Sequence, residues 1–435
     1  MRSAALFFEL IMLVPIAFVK PFAGVLLWSW ISFGNPHREV YGGIALAMPW
    51  AMMIFVATMV GCLVAREPKR FPWNGVTVCI ALFLVLITIT TCFALAPMAD
   101  VLAKYELVFK VFLFLLVTAA LLTSKERIHA LIWIMVLSLA IYGIKGGAFT
   151  LLGGGSNKVW GPPSSMIADN NQLAVGLLVS IPLMNYLRLE SQHAVMRLGL
   201  ALTMALTLFA VVGSYSRGAL LALGVMSFYL WCKSPGKIVS GIVILTVVGS
   251  AIAFMPVSWM DRMHSIQEYQ QDASAMDRLQ IWKVALLIAK ARPLIGGGFF
   301  ATYSQPVVER FFPGAEERAV HSIWLEVLAE HGFPGFFAWV GITASAAIYA
   351  RRVIKRATGI PGLEWCVNLA KMSQVSMIAY LVGGSFLSLC YWDYYFTVLV
   401  AVAAVHEHVK ATLRQSVSPR RFEVAAMPPQ FALSR

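Results

Sequence analysis

The sequence predicts an all-α, polytopic membrane protein, and two observations carry that prediction. Hydrophobic residues make up 59% of the chain and charged residues only 13%, with a mean hydropathy of +0.76. A soluble domain carries roughly twice that charge. Apolar runs long enough to cross a bilayer also recur from end to end, without the short alternating strands of a barrel. Backbone polar groups in hydrocarbon need partners within their own segment, so the spans should be helices.

Taken in order, segment 4–33 is apolar but interrupted at Lys20-Pro21, which predicts a kink or a break. Further crossings are expected near 43–64, 76–93, 108–122, 128–144, 173–186, 198–212, 219–232, 238–255, 334–350, 372–390 and 394–406. Charge sets their orientation. Connections 65–75, 123–129, 187–197, 233–237 and 351–371, with the tail 407–435, carry most of the 34 Lys and Arg. The opposite short connections hold only Arg38, Lys104, Lys145, Lys158 and Arg217. The basic side is therefore expected to be cytoplasmic. Loop 256–333 is too long for the rule to act on it and should lie outside. If the N-terminus is cytoplasmic, 4–33 crosses once as a kinked or broken helix, which gives about 12 spans with both termini inside; the sequence leaves open whether 4–33 crosses once or twice. The chain then divides into a helical core (1–255), a long, partly helical periplasmic loop (256–333), C-terminal helices (334–406) and a basic cytoplasmic tail (407–435).

The net charge of +13 reads as a topology signal and not as a nucleic-acid footprint. Lys410, Arg414, Arg420 and Arg421 in the tail are placed to meet anionic lipid. Arg2 with its apolar run weakly resembles a signal peptide, but no small-x-small site precedes Lys20-Pro21, so no removal is expected. The six cysteines form no CxxC pair and none lies in the long loop; buried helix packing is expected for nearly all.

Four polar pieces share the expected outer face. The first runs from Gly143-Ile144-Lys145-Gly146-Gly147 through Lys158-Val159-Trp160-Gly161-Pro162-Pro163 to Asp169-Asn170-Asn171. It reads equally as a helix cap at Asp169 or Asn170 and as a loop over a polar ligand. The second is the short turn Ser214-Tyr215-Ser216-Arg217-Gly218, whose arginine sits on the side where arginine is disfavoured and whose planar fork suits phosphate. In the third, Ile281, Ala285 and Ile288 form an apolar helical face. Arg278 near the start of that helix is poorly placed for its dipole, whereas Lys290 and Arg292 suit its end. Pro293 and Gly296-Gly297-Gly298 stop it.

The fourth piece is His321-Ser322-Ile323-Trp324-Leu325-Glu326, running on to Glu330-His331-Gly332-Phe333-Pro334-Gly335. Ser322, Glu326 and Glu330 fall on one stripe. His321 opens a helix just before the chain re-enters the bilayer, and an imidazole titrates in the range that moves protons near neutrality. His331 reads as a helix-end residue and His264 has no neighbouring motif; both are set aside. No paired-acid motif, His/Cys metal cluster, phosphate loop or GxSxG elbow is present. No metal or other cofactor is expected. The outer arginines and one histidine suit neutralising a diphosphate and moving one proton.

Ser216-Arg217-Gly218, Arg278 with Trp282, Pro293 to Gly298 and His321 to Gly335, in this order and on this side, resemble the bacterial O-antigen ligase (WaaL) family. That family lies within the superfamily of O-antigen ligases, polymerases and protein O-oligosaccharyltransferases. Asn35-Pro36-His37-Arg38, Tyr142 to Gly147 and Gly161-Pro162-Pro163 with Asp169-Asn170-Asn171 look like the branch of exosortase-associated O-glycosylation ligases. His321 is followed by Ser322, where many relatives have asparagine.

The resemblance implies a GT-C-like architecture in the bacterial inner membrane and a metal-independent, inverting transfer at the periplasmic face. The donor would be an undecaprenyl-diphosphate-linked glycan and the acceptor a sugar hydroxyl of lipid A–core. The family's histidine falls on His321, its essential arginine on Arg217, and its loop arginine on Arg278, with Arg292 as the second choice. Lys158, Trp160 and Trp324 are candidate substrate contacts, as is Trp392, although aromatic residues at such depths more often form an interfacial belt. The rivals are a polymerase, a protein O-oligosaccharyltransferase and, from another class, a lipid-linked sugar transporter. Internal repeats, which transporters often show, are not seen.

Overall fold

The computed structural model describes residues 2–40, 43–264 and 273–417, and every regular element among them is helical. The tail 418–435 with Arg420 and Arg421, Tyr41-Gly42, loop residues 265–272 and the side chain of His264 lie outside the described residues.

The chain opens with α1 (Arg2–Val19) and α2 (Pro21–Ser29), which a π turn, Trp30–Gly34, extends. Lys20 leaves the helical region (φ −125°, ψ 85°) and Pro21 starts the next helix, where its missing N–H costs nothing. A β-carbon built on Gly24 would come within 3.0 Å of Ala17 Cβ. Residues seven apart in one continuous helix are separated by roughly 10 Å, so α1 and α2 form an antiparallel pair. Ser3 accordingly lies against Gly43, near the end of the bundle that α2 reaches at Asn35. Segment 4–33, for which one broken crossing and two crossings both stood open, is thus two helices that run down and back. Ser32, past the end of α2, donates to Asp393, where the last helix begins, so the start of α1 and the described end of that last helix lie at opposite ends of the bundle, against the shared side expected for the two termini. The reason is local. Pro21 has no N–H to give to the Ala17 carbonyl, so α1 cannot continue through it. Ala17 is small, and Gly24 and Gly61 have no side chains, so α1, α2 and the helix after them pack at backbone distance.

After α3 (Ile44–Ala47), α4 (Trp50–Val64) packs on this pair. Five helices follow: α5 (Gly75–Cys92), α6 (Met98–Leu121), α7 (Lys125–Leu152), α8 (Asn170–Glu190) and α9 (Ala194–Val212). Next come α10 (Arg217–Lys233) and α11 (Lys237–Ala253). Their starts are written in the sequence. Asn74 caps α5 in a capping box with Thr77, and Ser124, Asp169 and Ser216 cap α7, α8 and α10. The outer segment carries α12 (Val257–His264), α13 (Ala273–Ala291) and α14 (Gln305–Phe311). The chain returns through α15 (Ile323–Ala357), α16 (Glu364–Gly384) and α17 (Asp393–Val417). Six of these helices are long and apolar enough to cross a membrane, and shorter apolar helices accompany them. On α11 only Ala251 is buried, while Ile238, Val239, Ile242 and Leu245 are exposed, as a lipid-facing helix requires.

Two of the basic connections, 65–75 and 123–129, meet at one end of the bundle. There Arg127 pairs with Glu67 at 2.6 Å, Glu67 also accepts the Phe22 N–H, and the Tyr349 hydroxyl accepts the Gly75 N–H. The cysteines depart from expectation. All six are free, but only Cys366 and Cys390 are buried; Cys62 and Cys79 are half-buried, and Cys92 and Cys232 are exposed on the outer faces of their helices.

One break positions everything that follows. Gly332 adopts φ 64°, ψ −170° and divides α15 into two helical pieces. Such a break orphans the carbonyls of the turn before it. Those of Ala329 and Glu330 are taken by the Gly297 and Gly298 N–H groups at 2.7 and 2.9 Å, and the Phe333 N–H donates to Pro293 O at 2.8 Å. A β-carbon at Gly332 would lie 2.5 Å from Pro293 O. Gly332→Ala is expected to lower stability by about 2–4 kcal/mol through backbone strain and that clash, read as a fall in Tm of the detergent-solubilised protein.

Candidate functional site

Ser388 lies in the connection between α16 and α17, and its Oγ accepts the His321 N–H at 3.0 Å. Gln172, in the first turn of α8, donates to Ser388 O at 3.4 Å. His321 precedes α15 with φ 50°, a left-handed conformation uncommon outside glycine. Its side chain is half-buried. Burial, then the charge of Arg278, holds the imidazole below its ordinary value; Arg318 acts in the same sense and Asp169 against them. The charge of the sequence-predicted Arg278 thus bears on His321, as do those of Asp169 and Arg318.

Arg217 is the first residue of α10, and the turn before it is also strained, with Tyr215 at φ 61°. Two contacts bring this turn toward the same place, and a third ties it to the loop after α7. Asn170 Nδ2 donates to Ser214 O at 2.6 Å, beside Asp169. A β-carbon on Gly218 would touch Phe386 at 3.4 Å, two residues from Ser388. Tyr215 reaches across to Gly155 O at 2.8 Å. Strained residues of this kind concentrate at binding and reaction sites.

The other candidates separate. The Val159 N–H donates to Gly213 O at 3.2 Å, which carries the half-buried Lys158 and the exposed Trp160 toward the Arg217 turn. Arg292 instead donates to Phe93 O at 2.7 Å and feels Arg310, away from His321. Trp324 Nε1 donates to Ser385 Oγ at 2.8 Å and its ring meets Trp339 edge-on, which is packing. Trp392 is buried and stacks on Tyr394. Asp169 caps α8 by accepting the Asn171 N–H, so the cap reading holds while its charge also reaches His321. The apolar face of α13 is buried as expected, and Trp282 Nε1 ties it to Val320 O at 2.8 Å.

Beside Ser388 a cavity of about 560 Å³ opens, bordered by Lys104, Gln172, Phe300, Tyr303, Glu326 and Trp392. Sequence reasoning missed its floor. Lys104, expected in an outer connection, is half-buried on α6 and bridges Glu326 at 3.2 Å and Glu330 at 2.8 Å. Glu330 also accepts from the Phe300 N–H and the Tyr391 hydroxyl. His331, set aside as a helix-end residue, does end a helix at the Gly332 break, but it is fully buried between Thr90 and Tyr391. Among the described residues no group of three or more His, Cys, Asp or Glu could hold a metal ion. Replacing Lys104 with Met would leave two buried carboxylates on one another; a loss of about 3–5 kcal/mol is expected. Restoring part of it in Lys104→Met/Glu330→Gln would identify charge as the cause, with Tm as the readout.

Residues 202–340 match a family model described as O-Antigen ligase. Residues 1–192 match a family of unknown function (DUF5935). No curated protein matches the chain.

Proposed function

The chain belongs, through residues 202–340, to the O-antigen ligase family, and from that premise we propose that it is the ligase itself, moving a glycan from undecaprenyl diphosphate to a sugar hydroxyl of lipid A–core. Family membership supports glycosyl transfer of the ligase or polymerase type in a multi-pass membrane protein. The finer reading rests on one observation: a half-buried histidine held beside Arg278 and beside the turn that presents Arg217.

In this reading lipid tails enter between helices in the bacterial inner membrane, and the diphosphate halts at the periplasmic end. Arg217 and Arg278 bind it and stabilise its charge as the anomeric bond breaks. His321, kept neutral by its surroundings, orients the acceptor hydroxyl or takes its proton as that oxygen attacks from the opposite face. The branch of exosortase-associated O-glycosylation ligases is the assignment within the family that the motifs of Asn35 to Arg38 and Gly161 to Asn171 favour.

The test is transfer by the purified full chain, given undecaprenyl-diphosphate glycan and lipid A–core in EDTA. Product under these conditions, absent from His321→Ala, supports a metal-independent ligase using this site. Lengthened donor glycan without ligated product would assign a polymerase; no turnover of any kind would favour the transporter.

A further inference from the structure

The backbone that carries His321 is held by side chains and not by a helix. His321 keeps a left-handed conformation (φ 50°), which a residue other than glycine retains when its surroundings over-determine it. The peptide joining Val320 to His321 shows what does so. Its carbonyl accepts from Trp282 Nε1 at 2.8 Å, and its N–H donates to Ser388 Oγ at 3.0 Å. Both polar groups of one planar unit are thus taken, one from α13 and one from the connection between α16 and α17. On the other side of His321, Ser322 O accepts the Glu326 N–H at 2.9 Å in the first turn of α15. Each side chain of the pair is itself anchored. Trp282 stands one turn from Arg278 on α13, so the helix whose arginine charge bears on His321 also holds its peptide. The Ser388 hydroxyl lies beside Glu326 and the Tyr303 phenol. A carboxylate only accepts and is the stronger acceptor of the two, so the serine proton goes to Glu326 and leaves the oxygen to His321. Lys104 holds Glu326 in turn, at 3.2 Å.

We propose that Trp282 and Ser388 are positioning residues that clamp the Val320–His321 peptide and so hold the imidazole in register with α13 and its Arg278. This rests on the reading of His321 as the group that orients or deprotonates the acceptor hydroxyl. With the peptide plane fixed, rotation about the N–Cα bond of His321 sets where its side chain points, and the two clamping bonds leave that rotation no slack. The two residues differ in one useful respect. Ser388 borders the cavity and Trp282 does not. A direct contact with substrate would therefore belong to Ser388 alone, whereas an effect on His321 is shared by both.

Trp282→Phe keeps an aromatic ring and removes the N–H, and Ser388→Ala removes the acceptor. Each is expected to lower kcat about tenfold or more, the scale of a small misplacement of a reacting group. KM for donor and acceptor should stay within about threefold. In a His321→Ala background neither should lower the remaining rate further, because the group they position is gone. Wild-type kcat in both variants, or losses that multiply with that of His321→Ala, overturns the clamp and leaves the ligase reading intact. A wild type that neither ligates nor lengthens glycan, or full activity in His321→Ala, overturns that reading instead. The clamp is then decided without turnover, by carbethoxylation of the full chain with diethyl pyrocarbonate and mass spectrometry of the His321 peptide. Severalfold faster modification in both variants supports it; the wild-type rate in both overturns it. If neither variant folds, amide exchange in the wild type decides. Protection of the His321 N–H supports the clamp, and exchange at the rate of a free peptide overturns it.

Discussion

Arg217→Ala is expected to lower kcat/KM for glycan transfer by about 10³-fold, the scale of removing one preorganised charge donor from a developing anion. The fold should survive, because Ser216 still caps α10 through the Ala219 N–H and Asn170 still holds Ser214. Arg217→Lys should recover only part of the loss, since an ammonium cannot reproduce the two parallel bonds of a guanidinium. A diphosphate is already a good leaving group, so neutralising its charge should matter at least as much as activating the hydroxyl. Arg217→Ala retaining as much activity as His321→Ala, or more, would contradict that order. Initial rates of both variants at matched Tm make the comparison.

His321→Ala is expected to cost about 10²- to 10³-fold, within the usual range for a positioned acid–base group. The pH dependence carries the mechanistic content. Burial and the charges of Arg278 and Arg318 depress the pKa of His321 below 6.5, so the neutral imidazole that accepts a proton persists through neutral pH. Activity should be flat near pH 7 and fall as pH drops through the depressed value. In Arg278→Ala the remaining activity should lose its acid limb at a higher pH, because a cation that opposed protonation is gone. The same shift makes stability sensitive. Between the folded and unfolded pKa values the unfolded chain binds the proton more tightly, so stability rises with pH there and is lost as pH falls. A pH–rate profile of His321→Ala that keeps the acid limb would assign it to another group.

Much of this architecture can be read from residue order. Asn74, Ser124, Asp169 and Ser216 stand where helices must begin, because each supplies an oxygen to otherwise orphaned N–H groups. Arg278 and His321 likewise stand out in residue order, one near the start of an amphipathic helix and the other just before α15. Other features needed coordinates. Lys20-Pro21 announces a break but carries no record of the direction in which the chain leaves it, which Gly24 against Ala17 decides. The partners of Lys104 lie 222 and 226 residues away, and Glu326 and Glu330, four apart, have the spacing of a solvated helical face. Arg318 follows two glutamates and reads as part of a wet loop, although it pairs with Asp277 and faces His321.

The seam at Gly332 has a mechanical consequence. Two carbonyls that a straight helix would have satisfied internally are held by Gly297 and Gly298, and the Leu95 N–H takes Gly297 O at 2.8 Å. The outer segment, the half-helix bearing Glu326, and the junction of α5 with α6 are thereby laced through a single strip of glycine backbone. The three pieces cannot separate without breaking backbone hydrogen bonds that have no other partner at the seam, so displacing one of them draws the other two along, and the glycines that carry the seam have the backbone freedom to bend with it.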